Sequence, residues 1–484
     1  MEGYSRSNTQ GTVAFKVALV KVPGTYADWY RRPVLGLAYI CSYLEANDFE
    51  CRIFDAYYHS WSEDELLRRV TEYRPHLIGL TAMTHEINEA AHIAKRLKAG
   101  LDVPVVIGGC HATALPRRTF SEFPVFDYGI YGEGERAFLG LAQRLRDGSS
   151  RDVQDIQGLI FREGDEVTIN SRPSFLTSGE LDALPHPAFD DYYGDDPEAL
   201  KGKNACYVLT ASRGCPYNCA FCMQVLGRQM RRRSPENIIE EMERAISRWG
   251  AHTFDFYDEI LLYDSPETRR LLRLMIEKGF PEKVKWCGVT RANLVKADLM
   301  TLARKAGCFK LGLGVESGDD EILKAIGKAI TVDQARAAVK MIKDAGIAVD
   351  AYFILGHPNE TEEQVKRTVD LAVELNTDTI AVGLMVPYPG TRIYEMALRG
   401  AGGYRLLSED WSQYDKYGGR ALELNGLPYS KLVKWQRRAL INLYLRNFRP
   451  LDLMRYMWQR RSALSFFLKR GLGIRIVTKE QFTG

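Results

Sequence analysis

Short apolar runs alternate with longer amphipathic stretches over two separate portions of the chain. In the first, residues 13–146, the runs Ala14–Val22, Cys51–Asp55, Leu77–Ala82, Val103–Ile107 and Phe126–Tyr131 read as strands. Between them Leu35–Ala46 and Glu86–Leu97 carry helical spacing. Nearly continuous apolar strands separated by helices predict a parallel sheet covered on both faces. Ligands of such sheets lie at the carboxyl ends of the strands. Those ends carry Gly108-Gly109-Cys110-His111 and Tyr131-Gly132-Glu133-Gly134-Glu135.

The pattern then breaks. Residues 147–202 are rich in Gly, Asp and Pro and read as a linker with a short hairpin at Gly158–Ile169. A second strand–helix series fills residues 203–395, with strands expected at Ala205–Thr210, Thr253–Tyr257, Val284–Val289, Phe309–Val315, Ala348–Leu355 and Thr379–Val386. Six such units predict a (β/α)6 partial TIM barrel, whose chemistry belongs at the carboxyl ends of its strands. Residues 396–484 read as a basic, helical C-terminal region. The fold class is therefore α/β: an open flavodoxin- or Rossmann-like parallel sheet, then a partial barrel, then a helical tail.

Composition adds limits. The 484 residues are 45% hydrophobic and 26% charged, with a net charge of +3, so no global field points to nucleic acid. No apolar run approaches the roughly 18 residues that span a bilayer, and the opening MEGYSRSNTQGT lacks a leader's apolar core. The nine cysteines are odd in number and mostly scattered, which fits a reducing cytoplasm rather than a disulfide framework. Charge is uneven, however. Residues 431–476 hold twelve Lys or Arg and one acid, Asp452, which puts +11 there and −8 on the rest. That tail reads either as a solvated capping helix or as a surface for an anionic membrane, a phosphorylated substrate or an acidic protein.

The strongest chemical signal is Gly214-Cys215-Pro216-Tyr217-Asn218-Cys219-Ala220-Phe221-Cys222, directly after the first strand of the second series. Three cysteines at this spacing let one loop bind three irons of a cubane cluster and leave the fourth without a thiolate. A structural zinc site would need a fourth Cys or His. Cys206, Cys287 and Cys308 are isolated, and no histidine lies in the motif.

CxxxCxxC at this place resembles the radical S-adenosylmethionine (SAM) superfamily. The resemblance implies that Cys215, Cys219 and Cys222 ligate a [4Fe–4S] cluster whose open iron chelates SAM. An electron from a donor such as flavodoxin or ferredoxin then cleaves SAM to a 5′-deoxyadenosyl radical. Phe221 matches an aromatic position near the adenine. Asp258 or Glu259, at the second strand's end, looks like the acid that binds SAM's amino group. Arg291 follows the third strand, and Glu316 matches a position contacting SAM's ribose or amino acid end. Gly356, in Gly356-His357-Pro358, resembles a glycine segment packed near adenine. The segment Pro387-Tyr388-Pro389-Gly390-Thr391 matches the subgroup whose N-terminal domain is similar to cobalamin-binding proteins.

Residues 14–146 resemble that domain through Arg32-Pro33-Val34-Leu35-Gly36, Gly108-Gly109-Cys110-His111 and Gly132-Glu133-Gly134-Glu135. The resemblance implies a corrin over Gly108, Gly109 and Gly132. The DxHxxG segment that supplies a cobalt-ligating histidine is absent, so cobalamin would be bound without one. The commonest activity of the subgroup is C-methylation of a small, natural-product type molecule. The alternative is cobalamin-independent dehydration, deoxygenation or rearrangement of a sugar or aminoglycoside-like substrate.

Overall fold

The computed structural model describes residues 14–24, 31–149, 152–202, 205–416 and 418–459. The first apolar series forms β1 (Lys16–Lys21), β2 (Glu50–Asp55), β3 (Leu77–Thr81), β4 (Val105–Gly108) and β5 (Tyr128–Ile130), paired in parallel in the order β2-β1-β3-β4-β5. Val17, Leu19 and Val20 of β1 are wholly buried, as expected of a central strand with helices on both faces. The predicted helices form at Leu35–Glu45 and Ile87–Gly100.

The stretch read as a linker is instead built into the fold. Its hairpin, β6 (Leu159–Glu163) and β7 (Glu166–Ile169), adds antiparallel to β5 and extends the sheet to seven strands. Leu159, Ile160 and Phe161 are buried there, closing the edge that β5 would leave open. Further along, Phe189 and Tyr193 pack on Tyr207 and Trp249, and Tyr192 packs on Tyr58 at 4.9 Å between ring centroids. Turn-forming composition marks where the chain bends, but says nothing of what the apolar residues between bends will cover.

The second series forms β8 (Tyr207–Leu209), then a clasp of β9 (Ser212–Arg213) with β10 (Arg231–Arg232), then β11 (Thr253–Phe256), β12 (Lys285–Thr290), β13 (Cys308–Glu316), β14 (Ala348–Leu355) and β15 (Thr379–Leu384). Six of these make an all-parallel sheet in the order β15-β14-β13-β12-β11-β8, open between β15 and β8. The helices between them are well bounded. Ser234 caps Pro235–Trp249, which ends at left-handed Gly250, and Thr331 and Thr361 each close a capping box.

The barrel strands alternate sharply. Phe254, Trp286, Leu311, Leu313, Val349, Ala351, Phe353 and Leu355 face the helices and are buried. Their neighbours Asp255, Cys287, Lys310, Asp350 and Ile354 face the concave side and are only half-buried, and Tyr257 and Tyr352 there are each 37% exposed. A closed eight-stranded barrel packs its interior with branched side chains. This partial barrel keeps an open, polar concave face on which a ligand can lie.

Candidate active site

The three cysteines sit on the loop between β9 and β10, which the two-stranded clasp holds shut at its root (Arg231 opposite Arg213). Gly214 opens the loop at φ +93°, and a Cβ there would come within 2.3 Å of the Gln229 carbonyl, so only glycine lets the loop close. The barrel grips the loop through its backbone. Ala220 N–H donates to the Ile326 carbonyl at 2.8 Å, and Ile393 N–H donates to the Ala220 carbonyl at 3.1 Å. Arg392 also donates to the Asn218 carbonyl.

All nine cysteines are free thiols. Cys222 keeps surface contact with solvent, but the protein atoms around its sulfur desolvate it and push the thiol up to about 11, with the nearby Cys219 and Cys215 adding to the effect and Lys328 opposing it. Burial likewise raises Cys215. Arg291, locked to the Lys328 carbonyl and stacked 3.6 Å from the Tyr217 ring, points an N–H at the Cys219 sulfur at 3.7 Å. Three clustered thiols beside two cations suit an iron–sulfur cluster, whose ligands must all be thiolates. Among the described residues no three His, Cys, Asp or Glu side chains are grouped to hold a single metal ion. A cubane sets each thiolate on a different iron, so such convergence is not what it requires.

The other rim residues differ in what they touch. Asp258 is buried and committed to the turn before the clasp: it accepts from Ala211 N–H at 2.9 Å and from the Ser212 hydroxyl at 2.6 Å. Burial raises its carboxyl to about 6. Glu259 is exposed, and its charge reaches Cys215 and Cys222. Glu316 ends β13 at φ +69°, beside a register shift between Gly314 and Glu316, and pairs with buried Lys328 at 2.7 Å. A bulky residue in that region is strained, and strain of this kind gathers at functional sites. His357 is fully buried, its Nε2 lies 3.4 Å from the Glu316 carbonyl, and its ring stands 6.5 Å from that of Phe221. Phe221, Glu316, His357 and Lys328 thus share one corner of the rim with Cys222. Gly356, at φ +96°, is needed for a different reason: a Cβ there would press on Leu432 and Met385 of this chain.

The Gly132-Glu133-Gly134-Glu135 turn of the first sheet reaches the same clasp. Glu133 accepts from Arg231 at 2.8 Å and from Arg213 at 3.2 Å, and Glu135 accepts from Arg213 at 2.7 Å. Arg231 also donates to the carbonyls of Leu176 and Leu226, the latter within the cysteine loop. All four charged side chains are buried. The arginines that bracket the cysteine loop are therefore neutralised by acids from the first sheet. Neither this network nor Lys328 was picked out from the sequence. The one available signal was an arginine at each end of the cysteine loop, which reads equally well as surface charge.

At the first sheet's carboxyl edge, Gly108 has open space: a Cβ there would meet nothing closer than 3.8 Å. Gly109 and Gly132 are glycine for internal reasons, because Cβ atoms would strike the Ala82 carbonyl at 2.6 Å and Pro173 at 3.1 Å. Most histidines are out of the way. His76 accepts from Lys16 N–H at the opposite end of the strands, His92 pairs with Glu63, and His59 reaches the Asp191 carbonyl. His111 is fully buried 4.8 Å from Trp411, and burial lowers it to about 4.

An α/β enzyme is defined by these parts: a thiol-bearing loop at the mouth of an open six-stranded barrel, joined through buried ion pairs to the ligand edge of a second parallel sheet. The Radical SAM superfamily profile matches residues 209–372, and the B12 binding domain profile matches residues 30–142. The chain is 30% identical to an uncharacterized methyltransferase of Pyrococcus horikoshii over 94% of this chain and 95% of that protein. It is 28% identical to the anaerobic magnesium-protoporphyrin IX monomethyl ester cyclase of Cereibacter sphaeroides, over 91% and 72%. Its fold matches the radical SAM methyltransferase TsrM of Kitasatospora setae, solved with cobalamin and a [4Fe–4S] cluster, at a TM-score of 0.70 and 18% identity over 90% and 89% of the two chains. The chain belongs to the radical SAM superfamily, in the subgroup with an N-terminal cobalamin-binding domain. It is a radical SAM enzyme, and the cofactors that go with its two domains are a [4Fe–4S] cluster, SAM and cobalamin. Among the described residues no helix is long and apolar enough to cross a membrane.

Proposed function

We propose that this enzyme methylates an unactivated carbon of a small molecule, using cobalamin. One observation carries the reading: the buried Arg213, Arg231, Glu133 and Glu135 network ties the root of the cysteine loop to the ligand edge of the corrin-type sheet. Hydrogen abstraction and methyl delivery must act on the same substrate carbon, and a rigid link between the two edges meets that demand. The methyltransferase relative that matches end to end favours this over a corrinoid-free dehydration or rearrangement of a sugar.

The bound groups would supply the radical and the methyl donor. The chain's own residues hold and orient. Cys215, Cys219 and Cys222 would ligate the cluster, with Arg291 fixing Tyr217 and Cys219. Glu259 and Glu316 would accept hydrogen bonds from SAM, and Phe221 would pack near its adenine. Asp258 would act by shaping the turn under the clasp rather than by touching SAM. The substrate would lie on the concave face, above Asp255, Lys310 and Tyr352. Gly108 would give a corrin close access to the backbone. Electrons would come from a flavodoxin or ferredoxin in a reducing cytoplasm.

Glu316→Gln keeps the shape but loses the charge that accepts from an ammonium or hydroxyl, and should weaken SAM binding by roughly 1.5–3 kcal/mol. Glu259→Gln should behave likewise. Equilibrium binding to the reconstituted enzyme decides it, and unchanged affinity in both variants would rule the assignment out.

Anaerobic reconstitution with iron, sulfide and cobalamin tests the whole reading. The ultraviolet–visible spectrum should show a bound corrinoid with no histidine ligating cobalt, since the chain has no DxHxxG segment and His111 is enclosed under Trp411. Methyl-labelled SAM should then pass its label to product. Full turnover by corrinoid-free enzyme would overturn the proposal.

A further inference from the structure

We propose that the outer face of the two C-terminal helices docks on an anionic lipid membrane surface. The helix Tyr429–Arg446 packs one side inward, through Leu432, Ala439, Leu443 and Tyr444, and Gln436 donates to the Val382 carbonyl of β15 at 2.7 Å. Its outer side is basic over the first turns, with Lys434, Arg437 and Arg438 exposed, and turns apolar toward its end. Ile441, Leu445 and Phe448 are 44%, 51% and 93% exposed. The stripe continues on the helix Pro450–Gln459 with Leu451, Met454, Met457 and Trp458 at 40–70%. Of twelve large exposed hydrophobics among the described residues, these seven fall within positions 441–458. Elsewhere such residues occur singly, which needs no explanation, whereas a contiguous patch marks a contact surface. Phe448 is held at φ +55° in the turn between the helices, so a disfavoured backbone conformation presents an aromatic ring to solvent.

Charge selects the occupant. Lys434, Arg437 and Arg438 are exposed one and two turns before Ile441 on the same helix, and Arg446 and Arg455 flank the apolar stripe. The one acid on the described residues of the two helices, Asp452, is engaged by Arg449 and Arg455; Asp370 and Glu362 of the neighbouring helix pair with Arg446 and Lys431, and leave Lys434, Arg437 and Arg438 as the exposed cations of this face. A second copy of this chain would set one strongly basic surface against another. A membrane of anionic lipid satisfies both features at once: headgroups meet Lys and Arg while Phe, Leu, Met and Trp enter the acyl boundary. Over the described residues neither helix is long and apolar enough to cross a bilayer, and the contact proposed is with the membrane surface. Residues 460–476, which carry five more Lys or Arg, lie outside the described residues and extend the same basic run.

Flotation of the full-length holoenzyme with lipid vesicles tests this. The protein should float with phosphatidylcholine vesicles containing about a third phosphatidylglycerol and stay behind with phosphatidylcholine alone, and molar salt should lower binding roughly tenfold. Phe448→Glu with Leu451→Glu should lose binding to about the same extent while the cluster spectrum, thermal midpoint and SAM cleavage stay as in the parent. Replacing Lys434, Arg437 and Arg438 by Gln should lower binding to the anionic vesicles. Parent protein that floats with neither vesicle would overturn the proposal. So would a double-Glu variant that binds like the parent, or a parent dimer that the double-Glu change dissociates without any effect on lipid.

Discussion

Replacing Cys215, Cys219 or Cys222 by Ala will abolish reductive SAM cleavage while the protein stays folded. The thiols stand on a loop whose backbone is fixed by Ala220, Ile326, Ile393 and the β9–β10 clasp, none of which depends on sulfur. Removing one side chain would therefore delete a ligand of the proposed cluster without releasing the loop. The cluster must keep three thiolates to leave one iron for SAM, so two are not a weaker version of the same site. Iron and sulfide content, the charge-transfer spectrum and 5′-deoxyadenosine formation should fall together in each variant, with the circular dichroism of the parent. A variant that kept full iron and full cleavage would sink the assignment of that cysteine.

The second large effect lies away from the thiols. Glu133→Ala should shift the denaturation midpoint of the cluster-free protein by the equivalent of about 3–5 kcal/mol. Glu133 accepts from Arg213, Arg231 and Leu176 N–H, and all three donor residues are buried. Without the carboxylate, two guanidiniums remain buried against one acid, Glu135. Arg231 also holds the Leu226 carbonyl, so the cysteine loop should loosen, and reconstitution should yield less cluster per chain. An exposed ion pair such as Arg336–Glu374 gives the comparison, because its removal should cost about 1 kcal/mol or less. A midpoint for Glu133→Ala within that smaller range would mean that the network does not carry the interface.

The strands, and the place of the three-cysteine loop after the first barrel strand, were legible in the sequence because each rests on local information. A continuous apolar run such as Leu77–Thr81 can be satisfied only inside a covered sheet, and Cys215, Cys219 and Cys222 owe their meaning to spacing along one loop. Position relative to β8 came from the same pattern. The pair Asp258 and Glu259 shows where such reading stops. Both are acids at one strand end, and only the structure shows that the first is spent on Ala211 and Ser212 while the second faces the cysteines. Gly109, Gly132 and Gly356 teach the same lesson: each needs to be glycine, but the neighbour that requires it is this chain's own atoms.

The tertiary structure alone decided three matters. Residues 147–202 became two strands and an aromatic seam because β5 had an open edge and β8 an uncovered face, facts about other segments. Glu133 and Glu135 met Arg213 and Arg231 across about a hundred residues, and a charge carries no sign of its partner until burial removes water as the alternative. The concave face stayed open because only six strands formed, so that Asp255, Lys310 and Tyr352 point into space that a closed barrel would fill. Hydrophobic periodicity and ligand spacing are properties of neighbours in sequence. Edges, interfaces and cavities arise only when distant segments compete to exclude the same water.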